Sequence, residues 1–196
     1  MPQAQCRVAW AVSADNDRAT ALDKCFPNCA CEPFSLRERG GPPVADEERI
    51  ARVLTAPDGF EPSTGTILTA KLQHIHSHGL SVIREGAADA EILKTVERLT
   101  KSGAEARTLV GAVVIQSSII RGFADFQRWF GVYATDEGEL EHHADILATT
   151  PQVDGTKARA RVAKERRYAL QHRLQENIIY ATEGAELLDR LRAAGI

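Results

Sequence analysis

"KLQHIHSHGLSVIRE", residues 71–85, holds three of the chain's six histidines at alternate positions. Read as extended chain, it places Leu72, His74, His76 and His78 on one face, because side chains alternate along a strand with period 2. After a break at Gly79, "GLSVIRE" puts Ser81, Ile83 and Glu85 on one face and Val82 and Arg84 on the other. With "ILTAKLQHI" before the break, this predicts two strands joined near His78. Three imidazoles on one ridge suit a divalent metal, since neutral imidazole is the commonest protein metal ligand. The other reading is the solvated polar face of an edge strand.

Upstream, "SLRERGGPPV" at 35–44 joins Gly40-Gly41 to Pro42-Pro43, a strong chain-breaking signal, and a boundary is expected there. Asp46 can then cap a short helix, "EERIARVL", with Ile50, Val53 and Leu54 as its apolar stripe. The next 12 residues, "TAPDGFEPSTGT", have no periodicity and read as a long loop of functional length. Downstream, Ile92, Val96 and Leu99 mark a helix over 88–101, and the β-branched run "RTLVGAVVIQSSII" at 107–120 reads as a buried strand. "RWFGVYAT" reads as another. Asp136 and Glu139 then form an acidic capping box opening a helix, "EGELEHHADILA", ended by Pro151. Helices over about 156–179 and 183–194 complete the chain. This order predicts an α+β fold: a mixed or antiparallel sheet with helices packed mainly on one face. The division expected is a Cys-rich N-terminal segment and linker over 1–44 and a single α+β domain over 45–196.

The bulk properties set the outer limits. At 196 residues, 43% hydrophobic and 26% charged, with a net charge of -3, the chain is that of an ordinary globular protein, neither disordered nor strongly basic. A single core of this size buries about 70% of the unfolded surface. The longest apolar runs, such as "LVGAVVI", fall short of a membrane span, and "MPQAQCRVAW" lacks a secretory n- and h-region, so a cytoplasmic protein without a membrane partner is expected. All four cysteines, Cys6, Cys25, Cys29 and Cys31, lie in the first 31 residues. In a reducing compartment such a cluster points to metal, and four thiolates suffice for tetrahedral zinc or an iron–sulfur cluster. The spacing lacks paired C-x2-C knuckles, and structural thiols or two disulfides are the other reading.

A second cluster, "EHHAD", adds His142, His143 and Asp145. On a helix, His143 would share the stripe of Leu140, Ala144 and Leu147 and face the sheet. The metal set expected is therefore His74, His76, His143 and Asp145, with an activated water in the open position. Arg84 is a candidate anion clamp and Glu85 a candidate catalytic carboxylate, with Glu91, Glu139 and Glu141 as further acids. Ser81, Arg84 and the Glu139-x-Glu141 element together resemble ADP-ribosyltransferase-like enzymes, a resemblance that implies chemistry on a nicotinamide dinucleotide. The predicted helix from Lys157 to Arg173 is locally basic, through Arg159, Arg161, Lys164, Arg166 and Arg167, and could neutralise nucleic-acid phosphates. No phosphate-binding G-x-x-x-x-G-K-[ST] or G-x-G-x-x-G and no G-x-S-x-G is present.

Together these readings favour a metal-dependent, hydrolase-like protein, with zinc as the expected ion, acting on an anionic substrate such as a phosphodiester or nucleic acid. The alternative is a non-catalytic, metal-stabilised module that binds nucleic acid or protein. An ADP-ribosyltransferase-like enzyme is third.

Overall fold

The segment Arg49–Ala56 is a strand, β1, where the sequence pattern predicted a helix. Ile50, Val53 and Leu54 fit a helical stripe, but Ala51, Thr55 and Ala56 are buried as well. A segment apolar on both faces belongs in the middle of a sheet covered on both sides. The computed structural model describes residues 2–37, 41–101, 107–136 and 140–196.

Around β1 the chain runs α1 (Pro2–Val12), α2 (Arg18–Cys25), β1, a small hairpin of β2 (Phe60–Glu61) and β3 (Thr66–Ile67), then a 3-10 turn over Lys71–His76 and β4 (Leu80–Arg84). It continues through α3 (Asp89–Lys101), β5 (Thr108–Gln116), α4 (Ser117–Arg121), β6 (Phe130–Ala134), β7 (His143–Ala148), α5 (Thr156–Gln175), β8 (Ile178–Tyr180) and α6 (Gly184–Ala193). The main sheet has six strands in the order β6-β7-β4-β1-β5-β8, and every neighbouring pair is antiparallel. The class is α+β.

Further elements depart from the sequence pattern. "KLQHIH" is a 3-10 turn instead of a strand, so its histidines do not form one ridge. Leu72 and Ile75, three apart, are its buried residues, as expected where i and i+3 eclipse. "HADILA" is the strand β7 instead of a helix, and all six of its residues are buried. The single predicted helix over 156–179 divides into α5 and the edge strand β8.

The register assigns side chains to faces. One face carries Ile50, Leu54, Val82 and Ile146 against Leu170 and Leu174 of α5, Ile120 of α4 and the 3-10 turn. On the other, α3 and α6 cover Ala51, Val53 and Ile83. Further along that second face, α1 and α2 bring Cys6, Trp10 and Leu22 onto Tyr133 and Leu147. Among the described residues, four of the six helices therefore lie on the second face, as two separate covers. Among the described residues no helix is long and apolar enough to cross a membrane.

Candidate functional site

Beside α3, at the gap between β1 and β4, lies a cavity of about 130 Å³. Its floor is the sheet: the register sets Ser81 opposite Asp145 and Ile83 opposite His143, so these four side chains share the second face. His74 and His78 line one wall, and Glu91, Thr95 and Arg98 of α3 with His142 line the other.

The cavity exists because β4 parts from β1. The two strands pair only at Ile50–Arg84 and Ala51–Ile83, while β1 stays paired with β5 along its whole length. Beyond the parting, the Arg52 guanidinium replaces the ladder, with Nη1 donating to the Ser81 carbonyl at 2.8 Å. Arg52 and His74 also line a second cavity of about 70 Å³, bounded by Leu54, Ile67, Leu72, Val113 and Leu174 with Asp58 and Lys71. The guanidinium thus stands between two cavities. Burial pushes its pKa down to about 10, with Asp145 and Asp58 opposing the shift from a distance. Among the described residues no carboxylate forms an ion pair with it; Asp58 is engaged by Lys71 and Arg107.

On the floor, Asp145 accepts hydrogen bonds from Ser81 Oγ at 3.1 Å and from Thr135 Oγ1 at 2.7 Å. Thr135 Oγ1 also lies 3.0 Å from His143 Nδ1. The opposite ring nitrogen of His143, Nε2, is buried with no hydrogen-bond partner, in a residue only 6% exposed. Gly79 makes room for this network. Its φ is +104°, and a Cβ there would stand 2.7 Å from Asp145 Cβ, so both conformation and space require glycine. On the opposite wall, Glu91 accepts from the His142 backbone N–H at 2.7 Å and meets His142 Nδ1 at 3.1 Å.

The histidines of the opening stretch separate. His74 and His78 meet at the cavity with ring centroids 4.4 Å apart and planes tilted by 40°, whereas His76 turns toward α5 near Ala163 and Arg167. Burial lowers the pKa of His74, with His78, Arg52 and Lys71 adding to the shift. Burial and Arg167 take His76 to about 4. Of the expected metal set, His74 and His143 line one cavity, Asp145 lies beneath it in bonds to two hydroxyls, and His76 is elsewhere. Among the described residues no three His, Cys, Asp or Glu side chains converge as an ion requires.

The cysteines separate too. Cys6 and Cys31 form a disulfide with Cα atoms 5.7 Å apart, taking two of the four sulfurs that a four-thiolate site needs. Cys25 and Cys29 are free thiols, and burial pushes Cys29 up to about 11. Arg84 and Glu85 serve the fold. Arg84 grips Glu48 through two bonds of 2.7 and 3.0 Å and donates to the Pro42 carbonyl, while exposed Glu85 accepts the Arg49 N–H. Neither lines the cavity, and Glu141 is exposed. Glu139 lies outside the described residues. In α5, Arg166 is buried over the Trp129 ring and bonded to Thr149, so it leaves the basic surface.

Compared with known protein families, curated proteins and solved structures, the chain matches none. Sequence reasoning passed over Arg52 and Thr135. The available signal was an arginine inside the apolar run "RIARVLTA", where a charge is costly unless something needs it.

Proposed function

We propose that this cavity takes a small oxyanion-bearing molecule, and that the protein is a hydrolase- or transferase-type enzyme acting on it. The observation that carries this reading is Arg52. A guanidinium has five donors, and one of them is spent on the Ser81 carbonyl. A charge withdrawn from water is normally paired, and the planar fork suits two oxygens of a carboxylate or phosphate. Burial is the main cause of the lowered pKa of His74, and His78, Arg52 and Lys71 add positive charge that a bound anion would offset. The cavity admits a small molecule or the end of a chain.

The metal-dependent version of this reading would have to recruit ligands that the described residues do not bring together, so the anion is assigned to Arg52 instead. A nucleic-acid partner would rest on exposed Lys157, Arg159, Arg161 and Lys164 of α5, a surface apart from the cavity. The ADP-ribosyltransferase-like reading keeps Ser81 in the cavity but loses Arg84 to Glu48.

The test is thermal unfolding of the full chain with increasing inorganic phosphate or sulfate. A ligand that binds only the folded state raises Tm. The wild type should gain stability, Arg52→Lys should gain less because the bidentate fork is lost, and Arg52→Met should gain nothing. A wild type indifferent to both anions would overturn the proposal.

A further inference from the structure

The hydrogen-bond chain under the cavity fixes more than geometry. As a carboxylate, Asp145 can only accept, so both hydroxyls that reach it, Ser81 Oγ and Thr135 Oγ1, spend their single proton on it. Thr135 has no second proton to offer His143. The 3.0 Å contact between them must then run from His143 Nδ1–H to Thr135 Oγ1. In the neutral imidazole this leaves Nε2 as a bare lone pair. That atom is buried, has no partner, and belongs to a side chain lining the cavity. Buried acceptors are ordinarily satisfied, and an orphan held in place by a three-residue chain calls for a donor.

We infer that the ligand of this cavity is an oxyanion that also carries a hydroxyl or N–H group, with its anionic oxygens on Arg52 and its donor on His143 Nε2. The inference rests on the anion reading of Arg52 and adds the second half of the ligand. It divides recognition between a cationic fork on β1 and a neutral acceptor on β7. These are the two strands that flank β4, and the parting of β4 from β1 opens the space between the two groups. A molecule with only one of the two groups would satisfy half of the site. Thr135 and Asp145 are positioning residues, acting through the ring of His143.

The test compares sn-glycerol 3-phosphate with n-propyl phosphate, which match in charge and nearly in size but differ in the hydroxyls. Calorimetric titration of the full chain should show the glycerol ester binding about tenfold tighter, the ratio that one buried hydrogen bond supplies. In Thr135→Val, which frees Nδ1 and removes the constraint on the tautomer, the ratio should fall toward unity while phosphate itself still binds. Ring-¹⁵N histidine NMR of the wild type gives a second, ligand-free measurement, in which His143 should carry its proton on Nδ1. Equal binding of the two esters, or a proton found on Nε2, overturns the inference and leaves the anion reading standing. Failure of both esters and of inorganic phosphate to bind overturns both.

Discussion

His76 shows how one side chain can govern the acid stability of this protein. Burial, reinforced by Arg167, takes its pKa from 6.5 to about 4, and its Nε2 is buried without a partner. Between those two values the unfolded chain binds a proton that the folded protein refuses. Stability is therefore fully present above about pH 6.5, is lost as pH falls toward 4, and levels off below that. The slope contributed is at most about 1.4 kcal/mol per pH unit, and less in so far as water reaches the ring. His76→Leu should flatten the dependence of the urea midpoint on pH between 7 and 4.5 and raise stability at the acid end. A variant whose midpoint falls with acid as steeply as that of the wild type would show that the burden lies on another group. His74 shares the direction of shift but sits at the cavity. Acid should therefore act on it through ligand occupancy as well as through folding.

At the scale of elements, the fold depends on one buried carboxylate. Glu32, 4% exposed, accepts the Val132 backbone N–H at 2.5 Å and pairs with Arg121 and Arg128 at 2.7 Å each. It thereby fastens the segment after α2 to β6 and α4. Glu32→Gln would leave Arg128 facing a neutral amide and Arg121 with Asp46 as its remaining carboxylate. Breaking a buried pair from one side typically costs about 3–5 kcal/mol, so a loss near the lower figure is expected in chemical unfolding. A loss under about 1 kcal/mol would mean that solvent already screens the cluster. What the sequence disclosed about the elements follows from the same local forces. α3 was legible because Ile92 and Val96 repeat at helical spacing above an exposed face, and "GLSVIRE" because a short run with β-branched Val82 and Ile83 follows the break at Gly79. β1 and β7 were not, because strands buried on both faces lose alternation and their apolar residues fit a helix equally well. "EHHAD" shows the consequence. Read as a helix, it sends His143 and Asp145 in different directions; as a strand, it puts both on one face with Ser81 and leaves His142 to meet Glu91.

At the scale of the whole molecule, the site is a property of how the second sheet face is covered. α3 lines the cavity, whereas the disulfide-bonded N-terminal helices cover Tyr133 and Leu147 further along that face and contribute no lining residue. The N-terminal cover touches the site through the 3-10 turn: the Ala19 N–H donates to the Ser77 carbonyl at 2.9 Å, between His76 and His78. No spacing rule relates residue 19 to residue 77, and the pairing of Cys6 with Cys31 was one of several that four cysteines allow. The coupling nevertheless has a measurable outcome. A crosslink across 25 residues lowers the entropy of the unfolded chain by an amount worth about 3.5 kcal/mol in the loop-closure model. The double variant Cys6→Ala, Cys31→Ala should lose stability on that order while the sheet remains folded, because the two larger cores on its faces contain neither sulfur. Phosphate affinity should fall as well, because the turn holding His74 and His78 would be anchored from one side only. Circular dichroism combined with the phosphate titration separates the cases. A folded variant with wild-type affinity would show that the N-terminal cover stabilises the molecule without shaping its cavity, and a folded variant with weakened affinity would place the disulfide among the determinants of the site.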